Sequence, residues 1–127
     1  MEFSVGATAD VTHAVADADT ATALGSGDVP VLGTPRVLAL LEAATVAAVA
    51  PALADGQTTV GTRISIEHRA ATPVGRTVTA RARLVAVDGR RLSFEVALID
   101  GETIAAFGTV ERVAVDRARF IARAAGG

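Results

Sequence analysis

From Val37 to Ala54 the chain carries one charged residue, Glu42, in a run otherwise made of alanine, leucine, valine, threonine and proline. A helix over this run is apolar on every side, so it must be covered on most of them rather than present one wet face. The run has the length of a membrane span. Its many alanines and its internal carboxylate fit a buried helix of a soluble protein better. Its start is marked by Thr34-Pro35, which puts a hydroxyl residue at the N-cap and proline at the first helical position, where a missing N–H costs nothing. The helix runs to about Leu53, and Asp55-Gly56 ends it.

Such a helix needs a sheet to wrap it, and the rest of the chain supplies strands. Ala7 to Val15 reads as a first strand, followed through Asp28 by a polar segment with a short helical turn and a loop. After the helix, Thr58 to Ala71 alternates around Ile64 and Ile66, and Pro73-Val74-Gly75 makes a turn. Arg76 to Val87 then sets Val78, Ala80, Ala82, Leu84 and Ala86 on one face. Asp88-Gly89 is a hairpin signal leading to the apolar face Leu92, Phe94, Val96 and Leu98. Asp100-Gly101 turns the chain into a last strand, Thr103 to Val115, and Asp116 to Ala125 reads as a short terminal helix. The order is strand, loop, long helix, then four strands in a meander, with no internal repeat and no linker, so residues 1–127 form one domain. This is an α+β chain in which a curled antiparallel sheet of about five strands wraps one central helix. The hot-dog fold has this arrangement, and other α+β domains share the element order.

Composition narrows the chemistry. A formal net charge of -2, with arginines scattered from Arg36 to Arg123, argues against nucleic acid as a partner. There is no cysteine, which removes thiol nucleophiles, disulfides and thiolate metal sites, and there is no lysine for a Schiff base or a P-loop. With no tryptophan or tyrosine and 4 phenylalanines, a platform for stacking bases is not expected. The only histidines are His13 and His68, so any metal would lean on carboxylates, and none is expected. The opening Met1-Glu2-Phe3-Ser4 lacks the basic and apolar segments of a secretory signal, so a cytoplasmic location is expected, with no membrane partner.

The polar residues in apolar places carry the information. Glu42 shares a helical face with Leu38, Leu41, Thr45 and Val49. It either reaches solvent from a helix edge or is buried, and a buried carboxylate costs several kcal/mol unless something compensates it. Alternation along Gly61 to His68 sets Thr62, Ile64, Ile66 and His68 on one face, pointing His68 toward the helix. A hydrogen-bonded core histidine explains His68 alone. Beside an equally misplaced Glu42, a carboxylate–imidazole site becomes an alternative. Thr34 is already explained as an N-cap, and eight helical positions, a rise of roughly 12 Å, separate it from Glu42. If both serve one site, they reach it from opposite ends of a substrate, through a bent loop, or from different subunits. Arg112 shares the parity of Ile104, Ala106 and Val110, and either edges to solvent in a surface ion pair or belongs to the same site. His13 has no nameable partner.

These residues resemble the hot-dog thioesterases typified by fluoroacetyl-CoA thioesterase, over roughly Val31 to Phe120. The resemblance rests on Gly33-Thr34, Glu42, Ala50-Pro51, Val60-Gly61-Thr62, His68, Pro73-Val74-Gly75, Asp88-Gly89-Arg90-Arg91-Leu92-Ser93 and Gly108-Thr109-Val110-Glu111-Arg112. The spacings from Thr34 to Glu42 to His68 match without a gap. The resemblance implies a catalytic Thr34, Glu42 and His68, with Glu42 as nucleophile or as base to water. His68 then manages the proton of the leaving thiolate, and Thr34 hydrogen-bonds within the site. It further implies substrate contacts at Gly61, whose N–H can meet the oxyanion, and at Arg112, as an anchor for substrate or for Glu42. The implied substrate is a short acyl-CoA or related thioester, with coenzyme A as part of the substrate and no separate cofactor. The implied assembly is a homodimer with sites at its interface, or a higher homo-oligomer. Fluoroacetyl-specific members place phenylalanines over the acyl pocket ahead of the helix. Here Asp17 to Gly33 has none, carrying Leu24, Val29, Val31 and Leu32, which predicts a broader small-acyl pocket. A non-catalytic acyl-CoA or hydrophobic-ligand module of the same fold is the alternative. An acyl-thioester dehydratase stands behind it, without a hydratase motif around His68.

Overall fold

The apolar run forms helix α2 (Thr34–Val49), and Pro51, which cannot donate an N–H, sits in the 3-10 turn Ala50–Ala52 that closes it. The structure, a computed structural model, describes residues 2–126. The chain covers only one side of α2. Val37, Leu40, Leu41, Ala44, Thr45, Ala48 and Val49 are buried at three-four spacing, while Ala39, Ala43, Val46 and Ala47 are exposed. Burial on most sides is therefore not what one chain provides: the far side is just as apolar and is open. The stretch Thr34–Ala52 is long and apolar enough to cross a membrane by length and composition alone, but its buried stripe packs on the sheet.

The sheet contains β1 (Thr8–Ala14), β2 (Gln57–His68), β3 (Thr77–Asp88), β4 (Arg91–Asp100) and β5 (Thr103–Asp116), all antiparallel in the order β1-β3-β4-β5-β2. Only β3, β4 and β5 form a meander. β2 sits at the far edge beside β5, because residues 69–76 are long enough to cross from one side of the sheet to the other rather than close a hairpin. Alternation holds through most strands. Val78, Ala80, Ala82 and Leu84 of β3 lie beside Leu92, Phe94, Val96 and Leu98 of β4 on one face of the sheet, and α2 covers that face to complete the core. The largest of these side chains each contribute about 2 kcal/mol of apolar burial.

Three bulges break the alternation, and each corrects one expected face. Val85 is unpaired in β3, so Ala86 turns outward; Ala105 is extra in β5, so Ile104 is 58% exposed; Thr62 is extra in β2. As a result Thr59 and Gly61 face inward before the bulge and Ile64, Ile66 and His68 after it, while Thr62 leaves the face it was expected to share. The segment between β1 and α2 forms a 3-10 turn (Asp17–Asp19) and α1 (Ala21–Leu24), closed by Gly25 at φ 72, a left-handed cap that glycine adopts freely. Helix α3 (Arg117–Ala124) starts at Asp116, whose Oδ1 accepts from the Arg119 N–H at 2.9 Å.

Candidate active site

Thr34 is not the N-cap of α2. The helix begins one residue earlier: Gly33 is the N-cap, its N–H bound by the Asp19 carbonyl at 2.9 Å, and no side chain caps this end. Pro35 therefore falls at the second helical position, which also needs no N–H partner. Thr34 is left free of a capping role, and its Oγ1 lies 2.8 Å from Nδ1 of His68, the last residue of β2. Nε2 of His68 is buried and has no hydrogen-bond partner among the described residues. An unmet buried nitrogen costs about 1–3 kcal/mol, so it is a position held open for something else. His68 is thus not a satisfied core histidine.

Glu42 belongs to a second group. Its Oε2 accepts from Arg112 Nη1 at 3.1 Å. Arg112 is 6% exposed and further fixed by Nε donating to Thr59 Oγ1 at 2.9 Å and Nη2 to the Thr59 carbonyl at 3.0 Å. Burial pulls the Arg112 guanidinium below its ordinary value, and the Glu42 carboxylate opposes that pull. Gly61, opposite Arg112 in the ladder, is required by this arrangement, since a Cβ there would collide with Glu42 Oε2. Thr59 went unnoticed in the sequence; its parity with Gly61, across the bulge from Ile64, was the available signal.

The structure thus groups Thr34 with His68 and, separately, Glu42 with Arg112 and Gly61. No hydrogen bond joins the two groups among the described residues. Along α2 they stand a rise of roughly 12 Å apart, and along β2 from Gly61 to His68 roughly 20 Å. Both open on the side of α2 that its own sheet leaves uncovered, where Thr34 is exposed and the Glu42 side chain is 36% exposed.

His13 does have a partner. Its Nε2 lies 2.8 Å from Oδ2 of Asp19, which also accepts from the Ala16 N–H at 2.8 Å, while Arg36 Nε lies 2.8 Å from Oδ1. Burial pushes the Asp19 carboxyl up, and the Ala16 N–H, His13 and Arg36 together outweigh it, leaving the group below its ordinary value. Asp19 ties β1, its own turn and the first turn of α2 together beside Thr34.

A helix held by a five-stranded antiparallel sheet in this order defines the hot-dog class. A solved hot-dog-like protein from Thermanaerovibrio acidaminovorans superposes with a TM-score of 0.87 at 25% identity, over 96% of this chain and 90% of that one. The family model for fluoroacetyl-CoA-specific thioesterase, FlK, matches residues 15–118, and the chain belongs to that family. Fluoroacetyl-CoA thioesterase of Streptantibioticus cattleyicolor is 43% identical over 93 residues, 73% of this chain and 67% of the relative. A solved structure of the fluoroacetyl-CoA thioesterase FlK superposes with a TM-score of 0.93 at 34% identity, over 99% of this chain and 98% of that one.

Proposed function

We propose that this chain hydrolyses short acyl-CoA thioesters to free acid and thiol, at sites built between two copies of itself. The observation that carries this reading is the division of the polar residues into two incomplete halves on one open face. Thr34–His68 ends in an unpartnered Nε2, and Glu42 is held by Arg112 against Gly61. β2 is an edge strand with free backbone groups, and the uncovered apolar side of α2 lies with it. Pairing β2 antiparallel with its copy about Ile64 and Ser65 sets Gly61 of one protomer opposite the partner's His68. That brings Glu42 to the partner's Thr34 and His68, a self-complementary interface of the kind a twofold axis makes.

In the joined site Arg112 holds Oε2 of Glu42, leaving Oε1 to attack the thioester carbonyl or to take a proton from water. Gly61, beside the bulge, offers its backbone to the developing oxyanion. When Nδ1–H of His68 donates to Thr34 Oγ1, the ring is an imidazolium whose Nε2 gives its proton to the leaving thiolate, and the proton that water releases through Glu42 restores it. Water supplies the hydroxyl that ends on the acid. A thioester is already activated, so side chains suffice and no cofactor is invoked. In support, a variant of the fluoroacetyl-CoA-specific thioesterase has been solved with fluoroacetate and CoA. Between Asp17 and Gly33 no aromatic residue is available to shape an acyl pocket, and Leu32 is committed to the core at 1% exposure. This favours a pocket broader than one made for fluoroacetate. A cytoplasmic location accompanies the reading.

The test is a thiol-release screen over a panel of acyl-CoA esters. Turnover of several short acyl groups is expected, and Glu42→Gln or His68→Ala should each lower it about 10²-fold or more. Unchanged turnover in both variants would sink the site. Acyl-CoA binding without thiol release would make the protein a non-catalytic module.

A further inference from the structure

The arginines are divided as unevenly as the active-site residues. Arg36, Arg69, Arg76, Arg81, Arg83 and Arg112 each lie within ion-pair distance of a carboxylate. Of the remaining six of the 12, only Arg63 stands elsewhere. Arg90 and Arg91 follow the tip of the β3–β4 hairpin, and Arg117, Arg119 and Arg123 lie on α3, all without a carboxylate partner among the described residues. Arg90, Arg119 and Arg123 line one cleft of about 240 Å³ with Phe120, which is 42% exposed, and Asp116. Asp116 has one oxygen engaged in capping α3, and Asp88 stands with Arg90 and Arg91 in the adjoining cleft. In a chain of net charge -2, three guanidinium groups gathered around the single carboxylate of Asp116 leave an excess of positive charge in the cleft that favours an anion there. Arginine matches phosphate in geometry and charge, and an exposed phenylalanine among guanidinium groups offers a face on which a base can stack.

Position connects this cleft to the proposed active site. Ala114 donates its N–H to the Arg90 carbonyl at 2.9 Å, so the cleft adjoins the end of β5 that carries Arg112. Asp116, on its wall, is four residues past Arg112 on the same strand, about 13 Å at the strand rise. The pantetheine arm of coenzyme A has about as many backbone bonds as four extended residues and spans a similar length. Arg119, Phe120 and Arg123 also lie beyond residue 118, where the family match ends.

We infer that Arg90, Arg119, Arg123 and Phe120 form the subsite for the nucleotide end of the substrate's coenzyme A, with phosphates on the guanidinium groups and adenine against Phe120. The inference rests on the acyl-CoA reading and adds where the phosphorylated nucleotide docks. Its test compares an acyl-CoA with the corresponding acyl-pantetheine, which carries the same thioester and no nucleotide. In the double variant Arg119→Ala/Arg123→Ala, KM for the acyl-CoA is expected to rise tenfold or more with kcat within twofold. Values for the acyl-pantetheine should not move. Adenosine 3′,5′-bisphosphate should inhibit the parent protein competitively and the variant at least tenfold more weakly, and Phe120→Ala should raise the acyl-CoA KM several-fold. An unchanged KM for acyl-CoA in the double variant overturns the subsite. If the parent protein cleaves neither thioester, the hydrolase reading fails, and calorimetry with adenosine 3′,5′-bisphosphate decides the subsite by itself. Binding lost in the variant supports it, and no binding to the parent protein overturns it.

Discussion

Glu42 and Gly61 depend on each other. The carboxylate occupies the volume that a side chain at position 61 would need, and Arg112 fixes it there. Gly61→Ala should therefore push the carboxylate off its position while the strand, already bulged at this point, absorbs a methyl group. A displacement of about 1 Å costs on the order of 10² in rate, so kcat is expected to fall by that amount with circular dichroism unchanged. A parental kcat would show that the contact does not position the reactive group. At this scale the sequence was legible in some places and opaque in others. Glu42 and His68 stood out because polar groups in apolar stripes need compensation. Thr34 was misplaced because Thr-Pro satisfies the N-cap rule wherever the helix starts. The Asp19 carbonyl, which takes the Gly33 N–H and so helps set that start, lies fourteen residues upstream by number and gives no local sign.

Between elements, Asp19 is the tie that holds the segment ahead of α2 against β1 and the first turn of the helix, next to Thr34. Its carboxyl titrates lower in the fold than in the unfolded chain. The stability it contributes is thus complete above the ordinary value of 3.8 and is lost as the pH falls through the lowered one. Thermal melts between pH 7 and pH 2.5 should show the parent protein losing an increment of Tm on the acid side that Asp19→Asn, already weakened at pH 7, does not lose. Parallel curves for the two proteins would contradict that role. The elements themselves were readable, because apolar alternation and the turn pairs Asp88-Gly89 and Asp100-Gly101 are local signals. The faces of Thr62, Ala86 and Ile104 were not, since one unpaired residue reverses the parity of everything beyond it. Strand order was not readable either: residues 69–76 read equally well as a turn or as a crossing, and only the pairing of β2 with β5 decides.

For the molecule as a whole, one chain carries two half-sites, Thr34 with His68 and Glu42 with Arg112, and in the proposed dimer the edge strand β2 joins them across a twofold axis. The sequence showed that Thr34 and Glu42 were too far apart along one helix. It did not show that His68 would go with the first and Arg112 with the second, because that depends on where β2 lies in the sheet. The most direct test mixes two inactive variants, Glu42→Gln and His68→Ala, under conditions that let subunits exchange, and measures thiol release. In each mixed dimer one site carries both substitutions and the other carries neither. Random exchange should therefore restore about a quarter of the parental activity from two inactive proteins. Light scattering should show dimers throughout. A mixture that stays as inactive as its parts, with exchange demonstrated, would place each site within a single chain and contradict the account.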